Sequence, residues 1–215
     1  MIKSIINCTV FSILLLAISS CSQSRLSCDD DIDIWAKTHL EEYLNAERDL
    51  IVSLPLSRQM AIFIGLTPQK KLDLWYAKLS TILEDSSYSL SDKRIINKLY
   101  HKLSVNAIEK DEVGNKLMDE CLKIINKLEW DDEKLFFSFG TWMTRDEYYQ
   151  ALWADSPVLT RIETPGDEPH LFCECSKMIT NCSAQGLTCY TNVNCEPKQG
   201  CGVFGLGLCR GVCDF

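Results

Sequence analysis

The sequence predicts an all-α helical bundle of about six helices, followed by a small disulfide-rich C-terminal module with little regular structure. Three observations carry that prediction. Between about Asp29 and Ser156 apolar residues recur at helical spacing, punctuated by capping residues rather than hairpin signals. Eight of the twelve cysteines (Cys173, Cys175, Cys182, Cys189, Cys195, Cys201, Cys209 and Cys213) fall in the last 43 residues. So short a segment buries little core, and covalent bridges are what would hold it. Between the two regions, Ser156-Pro157 opens a proline-punctuated stretch that runs through Pro165 and Pro169.

The N-terminus comes first in chain order. Lys3 precedes an apolar stretch from Ile5 to Ile18, shorter than the roughly 20 residues a spanning helix needs but suited to a signal peptide. Ile18-Ser19-Ser20-Cys21 resembles a bacterial lipobox: an aliphatic residue, two small ones, then the cysteine whose thiol takes the lipid. A plain secretory peptide with a chance cysteine is the alternative. Acylation at Cys21 would tether the chain to a membrane that it does not cross. The expected division is a signal peptide over 1–20, a tether over 21–28, a helical domain over 29–156, a linker over 157–172 and the cysteine-rich module over 173–215. The expected location is the bacterial envelope, at the outer membrane.

Within the helical region, Ile32 to Glu47 and Leu56 to Ile64 read as the first two helices. Thr67-Pro68 marks the next start, a capping hydroxyl with proline at the first helical position, ahead of Leu72, Trp75, Leu79 and Ile82 or Leu83. Ser91 is expected to cap a helix stapled by Leu90 and Ile95, with a stripe through Leu99, Leu103 and Ala107. Val113, Leu117, Cys121, Ile124 and Leu128 mark another helix after Asp111. Asp131 starts a short aromatic one that stops at Gly140, and Thr144-Arg145-Asp146-Glu147 makes a capping box before Tyr148, Leu152 and Trp153. The five tryptophans are expected in the core or at helix contacts.

Cysteine parity bears on chemistry. Removing Cys8 with the signal and acylating Cys21 leaves ten cysteines, of which eight lie in the tail. The other two, Cys28 and Cys121, either bridge each other or leave Cys121 a buried thiol on its helix. In the tail, the gaps after Cys173-Glu174-Cys175 are six, six, five, five, seven and three residues. Zinc knuckles want Cys-x2-Cys or Cys-x4-Cys pairs, and redox sites want Cys-x-x-Cys, so four disulfides are the stronger reading. Eight cysteines allow 105 pairings. Each bridge would stabilise by roughly 2–4 kcal/mol. Between Cys201 and Cys209, the run Val203, Phe204, Leu206 and Leu208 reads as a short strand, a buried plug or an exposed loop facing a membrane or receptor.

Charge excludes one class of partner. The chain carries −8, and the tail is neutral, with Lys177, Lys198 and Arg210 set against Glu174, Glu196 and Asp214. An acidic bundle repels nucleic acid and anionic head groups. His39 and His101 stand on expected helices without a nucleophile, metal or phosphate motif around them. No catalytic residue, cofactor or metal site is expected, and an enzyme is the least favoured class.

The tail spacing, with Gly200-Cys201-Gly202 at its centre, resembles fulvocin C, a small disulfide-rich bacteriocin. The helical segment Leu54 to Leu83, including Arg58-Gln59-Met60-Ala61-Ile62-Phe63 and Leu74-Trp75-Tyr76-Ala77-Lys78-Leu79, is similar to the front of larger fulvocin C-related proteins of Bacteroidetes. The resemblance implies a bacteriocin-related lipoprotein in which the bundle carries an effector module that acts on neighbouring bacteria, through an envelope receptor or target protein. The competing expectation is a non-toxic, lipid-anchored binding protein of the envelope.

Overall fold

Asp29 opens the bundle. Its carboxylate accepts from the Ile32 amide at 2.8 Å and caps α1 (Asp30–Leu44). The structure is a computed structural model, and it describes residues 25–27, 29–128, 130–154, 188–190, 198–209 and 212–214. Just before the cap, the Leu26 and Ser27 amides donate to Asp33 Oδ1 at 2.5 and 3.4 Å. Leu26 and Ser27 are buried. Residues 25–27 are therefore packed onto the bundle; the rest of the expected tether over 21–28 lies outside the described residues.

The first expected helix is two elements: α1 stops at Leu44, and α2 (Arg48–Val52) follows Glu47. Next come α3 (Leu56–Gly65) and α4 (Pro68–Glu84). The Thr67 hydroxyl accepts from the Lys70 amide at 3.3 Å; Leu72, Trp75 and Leu79 are buried as the stripe predicts, and of its two candidate ends Ile82 is buried and Leu83 half-buried. The cap of α5 (Leu90–Tyr100) is Ser89, not Ser91, and it forms a reciprocal box with Asp92. That shift puts Leu90 in the first helical position, 77% exposed, so no staple forms with Ile95. Leu103 and Ala107 are buried, but α5 has ended before them; Ser104 caps a separate α6 (Val105–Glu109).

On α7 (Asp111–Ile125) the buried face is Gly114, Leu117, Cys121 and Ile125, while Val113 is exposed. The expected stripe was one position out at its start, because a 3.6-residue period fits steps of three and four equally well; at its far end Ile124 and Leu128 pack half-buried against the cluster beside Ile125. Asp131 accepts from the Lys134 amide at 2.7 Å and starts α8 (Asp132–Leu135). α8 widens into a π-helical turn, Phe136–Gly140, that turns Phe136, Phe137 and Phe139 inward and stops at the expected glycine. The Thr144–Glu147 capping box forms, with amide contacts of 2.7 and 3.3 Å, ahead of α9 (Arg145–Ala154). The described residues thus hold nine α-helices, and the expected helical class stands with more breaks than predicted.

In the tail, β1 (Thr188–Tyr190) pairs antiparallel with β4 (Val212–Asp214), placing Cys189 opposite Cys213 in backbone register. β2 (Lys198–Cys201) pairs with β3 (Gly207–Cys209), with a bulge between Gln199 and Cys201. A 3₁₀ turn, Val203–Gly205, connects these two strands. Val203, Phe204 and Leu206 belong to the same buried cluster as the helices. Trp75 and Trp142 are buried in that cluster and Trp35 and Trp130 pack on it; the Trp153 side chain lies outside the described residues. The signal region, Cys8, Cys21, Cys28, the linker over 157–172, Cys173, Cys175, Cys182 and Cys195 lie outside them as well.

Candidate functional site: the docked loop of the cysteine-rich module

The place where the two chemistries of this chain meet is the loop from Cys201 to Gly207. Cys201 ends β2 and is disulfide-bonded. After it, Gly202 takes a backbone conformation (φ 72°, ψ −158°) open in practice to glycine. The turn then closes through Gly205 N–H to the Gly202 carbonyl at 3.2 Å and Leu206 N–H to the Val203 carbonyl at 3.1 Å. Val203, Phe204 and Leu206 are 0, 1 and 2% exposed. An isolated hairpin tip with three adjacent apolar side chains would be wet. This one is dry because the helices supply a slot for it.

Phe204 fills the slot. Its ring meets Trp75 edge-on at 5.2 Å and Phe139 edge-on at 5.7 Å, the arrangement that aromatic quadrupoles favour. Behind these, Phe63 stacks on Trp142 at 4.0 Å and Trp130 stacks on Phe139 at 5.8 Å. Gly205 (φ +66°) lies so close to Phe63 that an added Cβ would sit 3.0 Å from Cε1. Phe204 itself has left-handed backbone, φ 56° and ψ 22°. For a bulky residue that conformation costs roughly 1–3 kcal/mol and persists only where the surroundings impose it. The loop is a plug. The exposed-loop expectation is overturned for Val203, Phe204 and Leu206; the side chain of Leu208 lies outside the described residues.

Polar groups fix the wall of this slot. The stretch that carries Trp142 is held by Arg48, which pairs bidentately with Glu147 at 2.7 and 2.7 Å and donates to the Trp142 carbonyl at 3.2 Å. Burial alone would raise the Glu147 carboxyl. The Arg48 guanidinium and the Thr144 amide and hydroxyl outweigh it and hold the group at about 2. Buried Lys78 donates to the Met143 carbonyl at 2.5 Å, and desolvation lowers its ammonium to about 8. Fully buried Gln59 ties α3 to the preceding turn, its Nε2 donating to the Val52 and Leu54 carbonyls at 2.8 and 2.7 Å. The indole N–H groups of Trp75 and Trp142 have no acceptor, which marks how apolar the slot is.

The remaining candidates fall apart from the plug. Cys121 is a free thiol on the buried face of α7, and burial pushes it up to about 12. Of the two readings for this residue, the described residues have the buried thiol; Cys28 lies outside them. His39 stacks on Trp35 at 4.8 Å, with Nδ1 2.7 Å from the Trp35 carbonyl. His101 is the exposed C-cap of α5. A cavity of about 370 Å³ beside α4 and α8 includes Lys78, Asp85, Glu133, Lys134 and Arg145 in its lining. Lys134 is engaged by Asp92 at 3.2 Å and by the Trp130 ring, and Arg145 by Glu133 at 3.0 Å. Among the described residues no group of three or more metal-ligating side chains converges, and no helix is long and apolar enough to cross a membrane.

Sequence reasoning missed Arg48, Gln59 and Lys78. Lys78 follows Trp75 by three residues and precedes Leu79, so its place beside the apolar stripe was a signal of burial. Arg48 gave none, because its partner lies 99 residues away. Comparison with protein-family profiles, curated proteins and solved structures finds no match to this chain.

Proposed function

We propose that this chain is a bacteriocin-related lipoprotein of the bacterial envelope, acylated at Cys21, whose helical bundle is a carrier that grips the cysteine-rich module and presents it in place. The observation that supports this reading is the burial of Val203, Phe204 and Leu206 among the bundle's aromatics. Cutting the linker over 157–172 would leave that grip intact, so action by contact at the anchored position fits better than release. Because residues 25–27 are packed on α1, only Ser22 to Ser24 separate the acylated cysteine from the bundle. Three residues reach about 10 Å when extended. The bundle would then sit close against the membrane.

A second reading, a non-toxic envelope-binding module, is favoured by the same burial. Val203, Phe204 and Leu206 of the tail's apolar run are enclosed in the bundle, and the tail is neutral, so neither membrane insertion nor cationic lysis is its natural mode. Purified, oxidised mature protein separates the two. Growth inhibition across a panel of related bacteria, abolished by reduction, supports the effector. Capture of an envelope component without inhibition supports the binding module. Intact mass from native membranes without acyl chains on Cys21 would overturn both.

A further inference from the structure

Two constraints meet at Phe204. From below, the β2–β3 ladder pairs Cys201 with Gly207, and Cys201 is locked in a disulfide. From above, Trp75 and Phe139 clamp the ring. The left-handed backbone of Phe204 is disfavoured in a free chain, so the loop does not carry this shape on its own. Without its bridges the tail is too short to bury a core and keeps its chain entropy. Docking a reduced tail would have to order all of residues 201–207 at the moment of contact. Docking an oxidised one starts from a hairpin whose base is already fixed, so only the Phe204 turn is set on contact. The slot is selective for that shape, since Gly205 has no room for a side chain against Phe63.

We propose that closure of the Cys201 disulfide gates docking of the 201–207 loop, so that the helical core is completed only after the chain reaches an oxidising compartment. In that step two thiols give up two electrons and two protons to a disulfide oxidant, whose own bridge becomes two thiols. Before it, the slot lined by Phe63, Trp75 and Phe139 stands open, and the chain is a helical bundle with an exposed apolar patch. After it, Phe204 seals the patch. Export and core closure are thereby coupled, whatever the mature protein goes on to bind.

The test uses the full mature chain, oxidised or treated with a dithiol reductant without denaturant. Amide exchange over residues 203–206, binding of an apolar fluorescent dye and far-UV circular dichroism are followed together. Reduction should cut protection of 203–206 at least tenfold and raise dye binding several-fold, while the helical signal is kept. Gly205→Val, with its bridges verified by mass, should show the same open signature while oxidised, and reduction should then raise dye binding no further. Unchanged protection in the reduced wild type would overturn the gate. So would loss of helix in step with loss of protection, which means global unfolding. A protected loop in oxidised Gly205→Val also counts against it. The wild-type comparison stands even if that variant fails to fold.

Discussion

Replacing Phe204 with alanine should cost this protein about 4 kcal/mol, although the residue belongs to a segment that composition alone assigns to a separate module. The ring is 1% exposed, and removing it forfeits roughly 2–3 kcal/mol of transfer free energy. It also loses two edge-on aromatic contacts, to Trp75 and Phe139, each contributing about 0.5–1.5 kcal/mol. Little is recovered. Of the cavity walls, Phe63 and Phe139 are held by stacking on Trp142 and Trp130, and alanine at φ 56° is still strained. The total agrees with the range of about 3–5 kcal/mol seen for buried phenylalanine truncations. With a urea slope of about 2 kcal/mol/M, the unfolding midpoint of the oxidised mature chain should fall by about 2 M. Tryptophan fluorescence and far-UV circular dichroism should report the same midpoint. Leu90→Ala, at a side chain 77% exposed, should shift stability by no more than about 0.5 kcal/mol. A midpoint change below about 0.5 M for Phe204→Ala, at unchanged slope, would show that the bundle does not depend on the plug.

Two further outcomes follow from the polar groups around the slot, and a third from the buried thiol of α7. Gln59→Leu strands the Val52 and Leu54 carbonyls and should destabilise by about 2 kcal/mol, read as a thermal midpoint lower by about 4–8 °C. Glu147, held at about 2, binds its proton less readily in the folded than in the unfolded chain. Its contribution is therefore full above about pH 4.5 and lost as pH falls toward 2, and Glu147→Gln should flatten that acid limb by up to about 3 kcal/mol; an unchanged limb would exclude the Arg48 pairing. Cys121, at about 12 and buried, should resist an aromatic disulfide reagent at pH 8 for as long as the chain stays folded, then react at once in denaturant. Rapid labelling of native protein would place this thiol elsewhere.

Much of the helical framework is legible in the sequence because it rests on local rules. Thr67 and Thr144 cap where their hydroxyls precede a helical run, and Gly140 stops the turn that it was expected to stop. Errors arise where two local solutions differ by little. Ser89 and Ser91 both offer a hydroxyl ahead of the same stripe. Ser89 prevails because Asp92, three residues on, reciprocates, and the exposure of Leu90 follows from that choice. The α7 stripe shows the same ambiguity in rotation: Val113 or Gly114, Ile124 or Ile125. Packing put Gly114 inward in place of Val113, and it buries Ile125 with Ile124 half-buried beside it.

The plug stayed one of three open readings for a different reason. Val203, Phe204 and Leu206 carry one pattern that suits a short strand, a buried plug or an exposed loop alike, and nothing within the module decides among them. What decides is the slot made by Phe63, Trp75 and Phe139, side chains 12 and 64 positions apart on three elements and up to 141 positions from the Phe204 that fills it. Phe139 reaches the slot only through the π-helical turn that widens after Leu135, a feature that no stripe of apolar residues announces. Once the slot exists, the strain at Phe204 has a reason, and so do the narrow space at Gly205 and the disulfide at its base. Covalent order in the tail and aromatic order in the bundle each complete the other. A boundary drawn through the proline-rich stretch divides the composition of this chain, while its core runs across it.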